Sequence, residues 1–227
     1  MLKNNRRTIS LDFAGNKIQL LASGACYWPQ QKTLIVADLH LEKGSYFALR
    51  GQPIPLTDTR STLEKLQQEI NNLQPETVIC LGDNVHDAKG FLRMQEDDLL
   101  LLQSLRTLVN NWLWIIGNHD TAKLNKPALE NMQFVSEVMI ENLCFTHDFQ
   151  KEKPIQIIGH YHPKISITKQ GVKITGKCFS VAENTLIMPA FGSYTGGLDI
   201  NHQVYRDILS GNKKHYIILQ DTIFLAQ

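Results

Sequence analysis

Cysteine is scarce in this sequence, and the net charge is close to zero. The 227 residues include only four cysteines, whose scattered positions (26, 80, 144 and 178) form neither a CxxC pair nor a disulfide framework. We therefore expect reduced thiols in the core of a cytoplasmic protein. Lys and Arg number 23 against 22 for Asp and Glu, which gives a net charge of +1. So small a charge excludes a global field that draws the protein onto nucleic acid or an anionic membrane, and any polyanion must be held by a local patch.

Long apolar runs are also missing. No run reaches the length of a transmembrane helix. Asp12 and Lys17 interrupt the apolar stretch near the start, which a secretory signal would not tolerate. We therefore expect no association with a membrane. With 43% hydrophobic residues and no repeat or linker, the chain can bury one sizeable core, and we predict a single domain over residues 1–227.

The first half of the chain alternates strand-like and helical patterns. Apolar residues recur at spacings of three and four over residues 57–73, which predicts a helix capped by Thr57 or Asp58, and residues 95–109 predict another. Strand-like segments precede and follow these helices, a pattern typical of a parallel sheet with crossover helices. From Phe134 onward short strands follow one another, which predicts a second sheet packed on the first.

Five strand-like segments end in polar residues of the same kinds: ADLH, GDNVHD, GNHD, THD and GHYH. Side chains two residues apart on a strand point to the same face, so Asp38 and His40 are predicted to lie side by side. In open α/β sheets ligands gather beyond the carboxyl ends of strands, and we expect the five ends to converge on one site. Six of the eight histidines lie in these segments: His40, His86, His119, His147, His160 and His162.

Aspartate, histidine and asparagine without thiolate form a ligand set that suits Mn, Fe, Zn or Co rather than a cysteine-bound structural zinc. Two metal ions about 3.5–4 Å apart need a shared ligand, and Asp83 is the natural bridge. Each motif taken alone also fits an ordinary turn or cap, and such a protein would bind no metal.

In order along the chain, the blocks D-x-H, G-D, G-N-H-D, H and G-H-x-H resemble those of the calcineurin-like metallophosphoesterases. The resemblance implies an α/β protein, a four-layer α/β/β/α sandwich with a dinuclear metal centre at the sheet ends. Carried over by position, it assigns Asp38, His40 and His162 to one metal ion. Asp83 would bridge to the second, which takes the remaining ligands: Asn118, His147 and His160.

The resemblance also implies catalytic roles. A hydroxide that bridges two metal ions is a nucleophile at neutral pH and attacks phosphorus in line with the leaving oxygen. His119 fits the acid that protonates the leaving group, with Asp120 to orient it or raise its basicity. A plain spacer is the alternative for His119. His86 resembles a histidine of the nuclease branch and would contact the phosphate or steady a ligand, although a capped turn also explains it.

A wider frame resembles the bacterial DNA-ligase-associated metallophosphoesterases, a family of DNA damage response endonucleases: ACYWP at 25–29, RGQPIP at 50–55 and MPAFGSYTGG at 188–197. It implies a phosphodiesterase that cuts single-stranded or gapped DNA in repair, alongside a helicase, a DNA ligase and a nuclease of the metallo-β-lactamase type. Mn²⁺ is the first expectation for the two metal ions. The sequence departs from this pattern at Glu42, where glycine is common, and at Asn84, which we expect to face the metal region.

Several other residues suit a DNA substrate. Lys43, Arg50 and Lys177 could contact the backbone, and Tyr46, Phe47 or Tyr194 could stack on an unpaired base. The loop at 189–197 could bring backbone amides to a ligand, or it could be a tight connection. Two other functions stay open: the same chemistry on small nucleotides or phosphomonoesters, and a noncatalytic, metal-stabilised scaffold for repair partners.

Overall fold

The computed structural model describes residues 7–52, 54–120, 132–169 and 171–226, so Pro53 of the wider frame lies outside the described residues. The strands are β1 (Thr8–Phe13), β2 (Asn16–Leu21), β3 (Cys26–Trp28), β4 (Thr33–Val36), β5 (Thr77–Leu81), β6 (Asn111–Ile115), β7 (Gln133–Val135), β8 (Glu137–Ile140), β9 (Leu143–Thr146), β10 (Gln156–Ile158), β11 (Pro163–Lys169), β12 (Val172–Val181), β13 (Thr185–Ile187), β14 (Leu198–Asp199), β15 (Lys214–Leu219) and β16 (Thr222–Leu225). The helices are α1 (Lys43–Ala48), α2 (Asp58–Leu73), α3 (Gly90–Arg93), α4 (Glu96–Thr107) and α5 (Gln203–Ile208), with a 3₁₀ turn at Pro29–Gln31.

The first sheet has the order β1-β2-β3-β4-β5-β6-β7. Strands β1 to β4 pair antiparallel, whereas β4, β5, β6 and β7 pair parallel. The parallel strands are connected through α2 and α4, as the alternating patterns predict. Because parallel strands end at the same edge of a sheet, the polar residues after β4, β5 and β6 are brought together.

The second sheet runs β14-β11-β12-β13-β10-β9-β8, with β15 and β16 added beside β12. Strands β9, β10 and β13 pair parallel, so the residues after β9 and β10 also share an edge. The prediction that the second sheet starts at Phe134 is wrong: Phe134 lies in β7 of the first sheet, and the chain crosses at Ser136 into β8.

Three apolar clusters separate the layers. One lies between α2, α4 and the first sheet, and includes Leu66, Leu102 and both Trp112 and Trp114. A second fills the space between the two sheets, and a third packs α5 on the second sheet through Tyr205 and Ile208. The order helix, sheet, sheet, helix is the predicted four-layer α/β/β/α sandwich, and its outer fourth layer is the short α5.

Local details differ from the sequence-based expectations. Thr57 precedes α2 but its side chain does not cap the helix, and the Asp58 carboxylate instead accepts from the Gly44 amide at 3.1 Å. The short helices α1, α3 and α5 have too few residues to give a periodic signal. The four cysteines are free and buried, as expected. No helix among the described residues is long and apolar enough to cross a membrane.

Candidate metal centre

The two sheets deliver five strand ends to one place. Asp38, Asp83 and Asn118 follow the parallel strands of the first sheet, while His147 and His160 follow those of the second. Apolar side chains from both sheets form one cluster between them, which holds the two edges side by side. The expected convergence of the five ends is therefore present.

The backbone at these ends is strained. Five of the seven predicted ligands have φ between 44° and 66°, a left-handed conformation that residues other than glycine rarely adopt: Asp38, His40, Asp83, His160 and His162. Such strain costs about 1–3 kcal/mol per residue and is found mostly at functional sites. Tight turns of this kind let Asp38 and His40, and likewise His160 and His162, face the centre.

Three glycines permit the close approach of these turns. A Cβ at Gly82, whose φ is +74°, would lie 2.3 Å from His147 Nδ1. One at Gly117 would lie 2.2 Å from the Asp83 nitrogen, and one at Gly159 would lie 2.9 Å from Asp38 Oδ2. The glycine of each G-D, G-N-H-D and G-H-x-H block is thus required by contact with a neighbouring block.

The first predicted ligand group lies together. One potential ligand atom from each of Asp38, His40 and His162 lies within 4.8 Å of the other two. The Asp38 carboxylate is fully buried and accepts from the His160 amide at 3.0 Å, which fixes its direction. The His162 Nε2 atom lies 3.3 Å from Asp38 Oδ1 but is buried without a hydrogen-bond partner.

The second group is equally compact. Ligand atoms of Asp83, His147 and His160 also lie within 4.8 Å of one another. The Asn118 Oδ1 atom is 2.9 Å from His147 Nε2, which adds the fourth predicted member. Asp83 stands between the groups, because its Oδ1 is 3.4 Å from His147 Nε2 and its Oδ2 is 3.8 Å from His40 Nε2. This is the position that a bridging carboxylate requires.

These side chains fit divalent cations. Nitrogen and oxygen donors without thiolate suit hard to borderline metals, and an orphaned buried His162 Nε2 atom is an available donor. Burial, reinforced by His162, lowers the pKa of His40 to about 2, so this ring is neutral. Burial alone would lower the pKa of His147 as well, but the Asp83 and Asp38 carboxylates raise it to about 9.

The predicted catalytic histidines lie at the open side of the centre. The His119 Nδ1 atom is 2.7 Å from the His86 carbonyl oxygen, and its Nε2 is 3.8 Å from Asp83 Oδ2. Its side chain is 38% exposed, so a substrate can reach it. The His86 Nδ1 atom lies 3.4 Å from His40 Nδ1, which supports the reading that His86 steadies a ligand. Burial and the nearby Lys43 ammonium lower the pKa of His86 to about 4.

Asp120 occupies a different place from the predicted one. Its carboxylate accepts from the amides of Gly117, Asn84 and Val85 and from the Asn84 side chain. Among the described residues no hydrogen bond joins it to His119, whose orienting partner is the His86 carbonyl. Asp120 therefore ties the turn after β6 to the turn after β5, and the role of orienting His119 directly is corrected.

Two further expectations need correction. Asn84 is 1% exposed and donates to the Ile115 carbonyl and Asp120, so it lies beneath the turn and does not shape the pocket. Lys177 is half-buried, and its Nζ donates to the Ala190 and Gly192 carbonyls and to Thr195, so its ammonium group is engaged within the protein and is not available to a DNA backbone.

The loop at 189–197 supports the centre from behind. Its Phe191 and Gly192 amides donate to the carbonyls of Ala37 and Asp38, and so they do not face a ligand. Lys65, on α2, donates to the Phe191 carbonyl and places its ammonium 3.8 Å from the Phe191 ring centre. Lys65 could not be found from the sequence, because a lysine on an amphipathic helix gives no signal that its ammonium group binds a loop of the protein.

Glu42 also has a structural explanation. It adopts φ +67°, which is why glycine suits this position. Its buried carboxylate accepts from Ser45 Oγ at 2.6 Å and from Thr59 Oγ1 at 2.9 Å, which joins the start of α1 to α2. The side chain thus compensates for the strained backbone.

The chain resembles known proteins in sequence and in fold. The calcineurin-like phosphoesterase family matches residues 31–218. Among solved structures, the nuclease MPE of Pseudomonas putida has a TM-score of 0.77 at 25% identity, over 96% of this chain and 100% of that one. The phosphoesterase Yfce of E. coli has a TM-score of 0.38 at 12% identity, over 84% of this chain and 90% of that one. Vacuolar protein sorting 29 of Cryptosporidium parvum has a TM-score of 0.35 at 17% identity, over 86% of this chain and 94% of that one. No curated protein matches the chain.

The matched region contains both ligand groups and the strands that position them. The Pseudomonas nuclease is consistent with the resemblance to the ligase-associated metallophosphoesterases. The chain belongs to the calcineurin-like phosphoesterase family and is a metal-dependent phosphoesterase.

Proposed function

We propose that the protein is a dinuclear phosphodiesterase that cuts single-stranded or gapped DNA during repair in the cytoplasm. The observation that carries the proposal is the position of Asp83 between two compact ligand groups, one with Asp38, His40 and His162 and the other with His147 and His160. Two Mn²⁺ ions are the first candidates, and Fe, Zn or Co would suit the same donors.

When bound, the metal pair lowers the pKa of a coordinated water toward 7 and neutralises charge on the phosphoryl oxygens. The chain's own residues do the rest. With Nδ1 of His119 donating to the His86 carbonyl, the ring presents Nε2 toward Asp83, so Nε2 can hold the proton that passes to the leaving oxygen. His86 contacts His40 and limits its rotation, and Asp120 fixes the two turns that carry Asp83 and Asn118.

DNA as substrate is supported by the Pseudomonas nuclease, which aligns over the whole of its own length. The proposed repair partners, a helicase, a DNA ligase and a nuclease of the metallo-β-lactamase type, follow from the ligase-associated resemblance. Four buried free cysteines suit a reducing cytoplasm.

The test uses a 5′-labelled single-stranded oligonucleotide and a chromogenic phosphodiester in parallel, each with Mn²⁺ and with chelator. Asp83→Asn removes the proposed bridge, and Asp221→Asn makes the same chemical change at an exposed position. We expect metal-dependent cleavage of both substrates by the wild type and by Asp221→Asn, and its loss in Asp83→Asn. Cleavage by Asp83→Asn at the wild-type rate would refute the dinuclear mechanism.

Small nucleotides are the second candidate substrates. A cavity of about 530 Å³ lies beside His160 and His162, lined also by Lys43, Gly196 and Gly197, and this volume could hold a single nucleotide. The net charge of +1 gives little general attraction for a polymer. The dependence of kcat/KM on ionic strength separates the two candidate substrates. Contacts with several phosphates of an oligonucleotide release counterions, so kcat/KM on a DNA substrate should fall steeply as ionic strength rises. Hydrolysis of the small diester with the oligonucleotide left intact would favour small nucleotides.

A further inference from the structure

Helix α1 presents aromatic surface beside the metal centre. Tyr46 and Phe47 are only partly buried, and Arg50 just after the helix is exposed. The large aromatic side chains of the core, by contrast, are less than 2% exposed, among them Trp28, Trp112 and Phe145. The two rings of α1 therefore keep surface that a ligand can reach.

Three near-parallel rings lead from this surface to the centre. The Phe47 and His86 ring centres are 6.0 Å apart with an interplanar angle of 25°, and those of His86 and His119 are 5.4 Å apart at 20°. His119 ends the row 3.8 Å from Asp83. Phe47 is the outermost ring, so a base further along a strand whose phosphate lies at the centre can continue the row there.

The same surface is basic. The Arg50 guanidinium lies 3.5 Å from the Tyr46 ring centre, and Lys43 lines the cavity beside His160. The acidic side chains beside this surface are engaged within the protein: Glu42 with Ser45 and Thr59, Asp58 with the Gly44 amide, and Asp87 with Arg93. The charge next to the exposed rings therefore suits the phosphates of a nucleic acid strand.

We propose that Phe47 is a stacking site for an unpaired nucleobase on one side of the scissile phosphate, with Arg50 and Lys43 contacting the backbone that leads to it. This inference rests on the proposed function. Every base has a planar face that is covered in a duplex and free in a single strand, so stacking is tolerant of sequence. Stacking on Phe47 therefore favours single-stranded or gapped DNA over a duplex and does not select a particular base.

The experiment uses a 5′-labelled single-stranded oligonucleotide with one abasic site, and the rate of cleavage at each linkage is read from a gel under single-hit conditions. In the wild type, we expect about tenfold slower cleavage at one linkage, at a fixed number of nucleotides from the abasic site, than elsewhere, because one stacked base is lost. Phe47→Ala should slow cleavage about tenfold at the other linkages but cause no further loss at the abasic position. Phe47→Trp should restore the wild-type pattern.

Leu49→Ala is the matched control, since it removes another side chain from the end of α1, one that is 70% exposed and belongs to no ring pair. It should leave every rate unchanged. Uniform cleavage by the wild type across the abasic site, or a local decrease that persists in Phe47→Ala, overturns the stacking site while leaving the nuclease function intact. If the wild type leaves the oligonucleotide uncut but hydrolyses the chromogenic diester, the proposed DNA substrate itself fails.

Discussion

A single methyl group at Gly82 should disable the metal centre without unfolding the protein. An alanine Cβ at this position would lie 2.3 Å from His147 Nδ1 and 2.5 Å from its Cγ, whereas ordinary contacts are 3.4–4 Å. The imidazole must therefore retreat by about 1 Å, and it would lose its contact with the Leu81 carbonyl, which is 2.9 Å from Nδ1. A displacement of about 1 Å in a catalytic group costs about 10²-fold in rate.

Gly171 provides the control for backbone strain. Its φ of +78° is close to the +74° of Gly82, but a Cβ there would meet nothing within 4 Å. Alanine at either position should cost about 1–2 kcal/mol of stability for the left-handed backbone. Only Gly82→Ala should also lose turnover.

The assay compares urea unfolding with Mn²⁺-dependent hydrolysis of a phosphodiester for both variants. We expect both variants to lose unfolding free energy, with an additional loss of about 1–3 kcal/mol in Gly82→Ala because its methyl group overlaps His147. Turnover should fall about 10²-fold in Gly82→Ala and stay unchanged in Gly171→Ala. Wild-type turnover in Gly82→Ala would contradict the placement of His147. An equal loss of turnover in both variants would attribute the effect to stability alone.

Four other predictions concern single residues. His119→Ala should retain bound metal but lose about 10²–10⁴-fold in turnover, roughly the contribution of a general acid. The loss should be largest on substrates with poor leaving groups. An equal loss on substrates with good leaving groups would show that His119 is not the general acid. Asp120→Asn leaves buried amides unpaired and should lower the free energy of unfolding, measured in urea, by about 3 kcal/mol. An unchanged midpoint of urea unfolding would disprove this prediction. Glu42→Ala should be less stable than Glu42→Gly by about 1 kcal/mol, because both variants lose the carboxylate but only glycine relieves the backbone strain. Equal stability of the two variants would show that the left-handed backbone at position 42 is not strained. Burial lowers the pKa of Lys65 from 10.5 to about 7, so between these pH values the folded protein lacks a proton that the unfolded chain keeps. The free energy of unfolding should therefore rise between pH 7 and pH 10 more steeply in the wild type than in Lys65→Met. Parallel pH profiles of the two proteins would contradict this prediction.

Sequence predicts the centre better than its surroundings for a physical reason. Apolar runs that end in Asp, Asn or His mark strand ends, and parallel pairing brings such ends to one edge, so Asp38, Asp83 and Asn118 could be placed beforehand. The partner of each side chain depends on tertiary contacts. Adjacency in sequence suggested that Asp120 orients His119, but the amides of a turn 36 positions earlier take its carboxylate.

The crossing between the sheets and the burial of lysines were beyond reach for similar reasons. The short strands from Phe134 onward have the same strand-like character, so the sequence does not show that the first of them, β7, pairs in the first sheet and that the chain crosses at Ser136. Lys65 and Lys177 look like surface cations until the loop at 189–197 covers them, and only then do their ammonium groups bind its carbonyls.

The most direct test of the account is anomalous X-ray scattering from crystals grown with Mn²⁺. Two peaks are predicted about 3.5–4 Å apart, with Asp83 between them. One should contact Asp38, His40 and His162, and the other should contact the second group, Asn118, His147 and His160. A single peak, or two peaks that share no contact with Asp83, would contradict the dinuclear centre.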